Sequence, residues 1–211
     1  MVDIGPVNTM FTSNFVDGFR TRLSAQTTAN LNKHWFALGY YAHGWRSDKN
    51  YYRGDLIYSF NKKDFLPRDF PKRTLTFSSS YDVASPSDKF IPTDKDNVFT
   101  ALKWAKVDKM MFYNRQLLSF EYEQNWGFKT TIQLKTEENE PCGALAFTPL
   151  SEVGVQTSPM KIRTTEARVE LRLEPGRTYV NTKQRRLAVN LDMPVFTLSH
   201  TMGCEGILGG D

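Results

Sequence analysis

No stretch of this chain reaches the roughly 18–20 apolar residues of a membrane-spanning helix. The best run, Phe36 to Trp45, is interrupted by Gly39, His43 and Gly44. A secretory leader is missing too: Met1-Val2-Asp3-Ile4-Gly5-Pro6 has neither a basic start nor an apolar core. Cysteine is scarce. Cys142 and Cys204 lie far apart, so they form no disulfide framework and no metal spacing. Whether the two pair with each other stays open. Histidine is limited to His34, His43 and His200, and the chain has neither a nucleophile elbow nor a His-Glu-x-x-His helix. An enzyme is not expected, nor is a cofactor. The charge is +4, from 27 basic and 23 acidic residues that are interspersed rather than blocked. Without a basic helix or an aromatic RNA-binding signature, nucleic acid is not an expected partner.

Aromatic residues are plentiful: 15 Phe, 9 Tyr and 4 Trp. Many stand at the ends of apolar runs, as Trp35, Trp45, Tyr51, Phe60, Tyr81, Trp104, Tyr113 and Trp126 do. Such rings suit a membrane–water boundary, and they equally suit a soluble β core.

The dominant pattern is a period of two. Between Phe19 and Leu31, Phe19, Thr21, Leu23 and Ala25 alternate with Arg20, Arg22, Ser24 and Gln26. The pattern returns at Tyr52–Phe60, Leu75–Tyr81, Leu118–Glu123, Phe128–Lys135 and Thr165–Leu173. Successive strand side chains point to opposite faces, so each segment has one apolar and one polar face. Turn-forming residues separate them: Arg46 to Asn50, Asn61 to Asp64, Asn125 to Gly127 and Glu174 to Gly176. Tight turns between consecutive strands imply antiparallel pairing. Longer connections, Ser85–Asn97, Pro149–Pro159 and Arg177–Pro194, predict one rim of short turns and one of long loops.

The expected fold is therefore all-β: an antiparallel up-and-down meander of roughly nine or ten strands, forming one domain over 1–211. Two architectures share this pattern. One is part of a transmembrane β-barrel; the other is a soluble β-sandwich or lipocalin-like binding module. Strand length near 9–11 residues and charges of both signs on the polar faces favour the barrel. In that reading Arg20, Arg22, Arg53, Asp55, Glu121, Glu123, Lys129, Lys135, Glu166, Arg168, Glu170 and Arg172 face the lumen. Phe19, Leu23, Leu56, Tyr58, Phe77, Phe120, Ile132, Leu134, Val169 and Leu171 face lipid.

Other candidate sites are weak. His200 and Cys204 supply two ligands where zinc takes four, or three and a water. Asp94-Lys95-Asp96-Asn97 has the opening of a calcium loop, but Phe99 and Ala105 stand where Gly and Glu are required. Glu137-Glu138-Asn139-Glu140 reads as a solvated hairpin tip and Lys183-Gln184-Arg185-Arg186 as a solvated loop. Arg53-Gly54-Asp55 falls inside a strand, and Glu121 with Glu123 forms part of a charged wall.

Several segments carry a resemblance. They are Asp3-Ile4-Gly5-Pro6-Val7-Asn8-Thr9-Met10, Asp17-Gly18-Phe19-Arg20, Gln26-Thr27-Thr28-Ala29-Asn30-Leu31-Asn32 and Ser85-Pro86-Ser87-Asp88-Lys89-Phe90. Pro92 to Phe99, Thr164 to Arg172 and Val180 to Arg186 continue it. Together they resemble a bacterial outer-membrane family of unknown function. Its members carry a carboxypeptidase-regulatory-like domain ahead of a large barrel. The resemblance implies that the chain is the first part of the barrel region. Its expected setting is the outer membrane, beside lipid, the remaining strands of its own barrel and the upstream domain. The expected role is envelope transport, channel formation or assembly. The chain stops at Gly209-Gly210-Asp211, short of the terminal aromatic strand expected of such a barrel.

Overall fold

The computed structural model describes residues 1–86, 108–147, 161–183 and 186–207. The chain runs through β1 (Val2–Ile4), a 3-10 turn (Val7–Thr9), β2 (Phe11–Asn14), β3 (Gly18–Thr27), β4 (Trp35–Gly44) and β5 (Lys49–Ser59). It continues through β6 (Arg73–Ala84), β7 (Lys109–Glu123), β8 (Phe128–Gly143) and β9 (Ile162–Leu173). The last elements are β10 (Tyr179–Asn181), β11 (Arg186–Ala188) and β12 (Phe196–Gly203). Ten strands form one antiparallel sheet in the order β1-β3-β4-β5-β6-β7-β8-β9-β12, with β2 also on the outer edge of β3. The fold is the expected all-β meander. β10 and β11 make a separate small hairpin.

The sheet curls. Arg20 on β3 and Asp82 on β6 are separated by β4 and β5. At ~4.8 Å per strand, their backbones would stand roughly 14 Å apart on a flat sheet, more than the two side chains span. Yet the Arg20 Nη1 to Asp82 Oδ1 distance is 2.8 Å. The face carrying Arg20 is therefore concave.

Four sequence-based expectations need correction. β7 and β8, 15 and 16 residues long, run well past the segments in which alternation is plain. Their further outward residues, Asn114, Gln116, Thr136 and Glu138, are polar, so both parities become polar and the two-fold pattern fades. For the same reason the acidic stretch from Glu137 to Glu140 is no hairpin tip; it lies within β8, paired with β7. Pro141 is tolerated there because β8 has already lost its β9 neighbour at Asn139.

The rims are not sorted by loop length either. One carries the short turns 15–17 and 45–48 together with the long connections after β6 and β8. The other carries the short turn 124–127 together with 28–34, 60–72 and 174–195. The last two are not free loops but fold onto each other. Phe70 stacks on Tyr179 at 5.1 Å, and the Asn181 amide bonds the Phe70 backbone at 2.8 and 2.9 Å. Pro149–Pro159, Trp104 and residues 87–97 lie outside the described residues.

The aromatic residues divide. Trp35, Trp45, Phe60 and Trp126 are exposed on the convex side or rim. Tyr51 is not: it is 0% exposed, and with Ala42, Val83, Met110 and Phe112 it forms a small core against which Tyr81 packs. The β5–β6 ladder ends at Tyr52↔Tyr81, and past that point side chains rather than backbone bonds fill the space between the strands. A second small core joins Ala29, Phe36 and Ile57. β4 is the exception to alternation, since its concave residues Phe36, Leu38, Tyr40 and Ala42 are apolar or aromatic.

A charged concave face as candidate functional site

Register places all twelve charged residues singled out above on one face. Arg22 pairs across Ala42, Arg53 across Tyr40 and Ser80, and Asp55 across Leu38 and Ser78. Glu121 and Glu123 then face Thr131 and Lys129. Lys129, Lys135 and their β8 neighbours face Arg172, Glu170, Arg168 and Glu166 of β9. Arg20, Asp55 and Glu123 are buried, Arg53 and Arg168 are exposed, and the other seven are half-buried. On the opposite face Phe19, Leu23, Leu56, Phe77, Ile132, Leu134, Val169 and Leu171 are 36–60% exposed, with Tyr58 and Phe120 half-buried.

Almost every concave charge has a counter-charge. Glu121 lies between Lys72 and Lys129, the second at 2.6 Å. Lys135 meets Glu166 at 2.9 Å, Arg168 meets Glu170 at 2.6 Å, and Arg172 meets Glu174 at 2.5 Å. Glu123 receives both Arg186 guanidinium nitrogens at 2.8 Å. Arg186 therefore belongs to this wall and not to a solvated basic loop.

The densest knot lies near the rim of the β4–β5 turn. Asp82 accepts from Arg20 and from the Tyr40 hydroxyl. Asp17 accepts from Ser47 at 2.7 Å and from Tyr51 at 2.5 Å, and stands 3.7 Å from Arg20. Arg20 also lies 4.7 Å from the Tyr51 ring centroid. Gly44 makes this possible, because a Cβ there would overlap the Asp17 carboxylate. Local backbone bonding fixes Asp17: Asn14 Oδ1 accepts the N–H groups of Val16 and Asp17, closing an Asx turn between β2 and β3.

Sequence reasoning missed Asp17, Asp82, Arg115 and Glu137. Three of these were reachable by extending a parity already seen. Asp82 follows Ser78 and Ser80, Arg115 precedes Ser119 and Glu121, and Glu137 follows Gln133 and Lys135. Arg115 and Glu137 form a 2.5 Å pair across β7 and β8. Asp17 sits in a turn, where no parity exists.

At the opposite rim Lys63 is 1% exposed and donates to the carbonyls of Asp69 and Pro71 at 2.6 and 2.7 Å. Burial lowers its ammonium from 10.5 to about 8; Asp69 and Glu123 pull it back up, and Lys72 and Arg186 push it down. Because the folded value lies below the unfolded one, the unfolded chain holds more protons between these values. Stability should therefore rise as pH increases from about 8 toward 10.5. Comparing urea midpoints of the protein and Lys63→Met across that window isolates the effect: the difference between them should change with pH. A pH-independent difference would remove Lys63 as the cause. Nearby, burial raises the Glu174 carboxyl, but the Tyr179 hydroxyl, Arg172 and Arg177 together hold it below its usual range.

The cysteines do not pair: Cys142 on β8 and Cys204 just past β12 are both free thiols. No group of three metal-ligating side chains occurs among the described residues. No family model, curated protein or solved structure matches this chain.

Proposed function

We propose that the chain is an outer-membrane β-barrel domain of the bacterial cell envelope, acting in transport, channel formation or assembly rather than catalysis. The convex face meets lipid, and the concave face lines a polar interior filled largely by its own paired charges. The observation that carries this reading is the inversion of the two faces. Large apolar side chains are exposed on strand after strand, while charges are buried opposite them. In water a contiguous apolar surface across seven strands exceeds what a soluble monomer normally leaves uncovered. A soluble sandwich needs a second sheet over that surface, and none is present among the described residues.

The aromatic rows give further support. Trp35 packs on Tyr58 at 5.0 Å, Tyr58 on Phe60 at 5.2 Å and Phe60 on Phe120 at 6.0 Å, a girdle crossing three strands. Girdles of this kind mark the bilayer interface of barrels. β3, β4 and β5, at 10, 10 and 11 residues, match a tilted span. The sheet also has two open edges, β1 with β2 and β12, which a bilayer does not tolerate. Further strands of the same barrel close them, and a carboxypeptidase-regulatory-like domain precedes it.

Gel migration of the full-length protein tests the reading. A barrel extracted in detergent should run faster unheated than boiled and should partition with outer membranes. A protein that stays monomeric and soluble without detergent would exclude it.

A further inference from the structure

At the rim of the β4–β5 turn the wall overlaps itself. Met110 and Phe112 belong to the outer parity of β7, the one that carries Leu118 and Phe120 lower down. Val83 shares that face on β6, and Cys142 shares it on β8. Yet all four pack in one cluster with Ala42 and Tyr51, which stand on the concave face of β4 and β5. The outer side of β6–β8 thus lies against the inner side of β4–β5. The contact reaches the first turn. Val16 packs on the same cluster, and a Cβ on Gly143, at the end of β8, would stand 3.1 Å from a Phe15 ring carbon. β8 is five strands from β3 in the sheet, ~24 Å along a flat one. The upper ends of β6, β7 and β8 therefore form a flap that is swung inward across the concave side.

The register offers this flap a second position. β5 begins at Lys49 and β6 ends at Ala84, but their ladder stops at Tyr52↔Tyr81, three residues short of both ends. Continued in the same register, it would set Tyr51 opposite Asp82, Asn50 opposite Val83 and Lys49 opposite Ala84, with no slip between faces. Side chains fill the gap instead. Tyr51 stacks on Tyr81 and Phe112, and Lys49 Nζ lies 3.6 Å from the Phe112 ring centroid. The Asp82 carboxylate accepts the Val83 N–H at 2.7 Å, and it also accepts from Arg20. Two arrangements therefore compete for the same residues: one packed by side chains, the other joined by backbone bonds. Packed interfaces of this kind switch between discrete states and do not deform continuously.

We propose that the seam between β5 and β6 is a two-state closure of the interior at this rim. Docked, the flap covers the concave face. Zipped, three further pairs of the β5–β6 ladder draw the flap into line with the wall and uncover Tyr51 and Cys142. The tie between Arg20 and Asp82 belongs to the docked form. The closure follows from strand register and packing and does not require lipid on the convex face. Gel migration decides the membrane reading and thiol chemistry decides the seam, so the two fail separately.

Disulfide trapping in the full-length, detergent-extracted protein tests it. Asn50→Cys with Val83→Cys, in a Cys142→Ser, Cys204→Ser background, sets two thiols directly opposite each other in the zipped form, within disulfide reach. Gly54→Cys with Ser79→Cys is a pair of the same kind in the part of the ladder already formed, so it gives the rate for an aligned pair. The 50–83 pair should close completely but about tenfold or more slowly than the 54–79 pair, as for a state populated at about a tenth or less. Phe112→Lys puts a second ammonium beside Lys49 in the docked form, whereas across the β7–β8 ladder it faces Glu140. It should bring closure toward the rate of the 54–79 pair, and Phe112→Leu should not. In Cys204→Ser protein, a water-soluble maleimide should likewise label Cys142 faster once Phe112→Lys is added. The proposal is overturned if the 50–83 pair stays open while the 54–79 pair closes, or if it closes as fast as that pair with Phe112 intact. It is overturned too if a folded Phe112→Lys changes neither closure nor labelling. Should Phe112→Lys not fold, the comparison of the two cysteine pairs decides alone.

Discussion

Replacing Asp82 by alanine is expected to cost about 3–5 kcal/mol, read as a fall in the urea midpoint of the detergent- or lipid-folded protein. The reason is what it leaves behind. Arg20 is 1% exposed and would lose both of its hydrogen bonds to that carboxylate, and the Tyr40 hydroxyl would lose its bond to it as well. Removing one member of a buried pair strands the other charge, and that penalty exceeds the net worth of the pair. Asp82→Asn keeps the shape and some of the hydrogen bonding, so it should fall between alanine and the parent. A loss under about 1 kcal/mol for alanine, the size of an exposed ion pair, would show that water reaches this knot.

The second large effect belongs to the convex face. Ile132 lies between Phe120 on β7 and Val169 on β9, in the middle of the apolar surface. Ile132→Arg should cost about 2–4 kcal/mol in a bilayer, the penalty for arginine near the midplane of a barrel wall. Gln133→Arg, one residue on, should cost far less, because it stands on the polar concave face beside Ser119, with Glu166 and Glu170 on either side of the Arg168 it opposes. Folding into vesicles, followed by urea titration, compares the two. If Ile132→Arg were neutral there, the apolar face would be meeting water and not lipid. The pair of variants thus separates the two environments by the size of the loss.

How much could be read in the sequence follows from where alternation holds. β3, β5, β6 and β9 were legible because polar and apolar parities contrast along most of their length. Arg168 and Glu170 against Val169 and Leu171 is the plainest example. β4 was less so, because its concave face carries Phe36, Leu38 and Ala42 beneath a convex face that is also apolar. The outer halves of β7 and β8 failed for the opposite reason. Glu138 and Glu140 point away from the concave side yet are charged, bridged to Lys161 at 3.7 and 3.0 Å. An apolar belt that ends at Leu118, Leu134 and Ala167 leaves nothing periodic to detect beyond it. Of the candidate site, the charged ladders could be anticipated one strand at a time. The Arg20–Asp82 tie could not, since it depends on three successive registers and on curvature. A slip of one residue in any of those ladders would turn one partner to the other face.

The early end of the β5–β6 ladder divides the sheet at one rim. β4 and β5 stay paired down to Gly44↔Lys49, and β6 and β7 to Ala84↔Met111, but β5 and β6 part after Tyr52↔Tyr81. Two stiff panels therefore meet along a seam stitched by side chains: Tyr51 stacked on Tyr81 at 6.0 Å and on Phe112 at 6.4 Å, and Arg20 crossing to Asp82. Stitches of this kind yield one at a time, whereas a ladder yields as a unit. Fraying of the wall should start here and travel toward the opposite rim, with amide hydrogens on the two lips of the seam exchanging ahead of those in mid-strand.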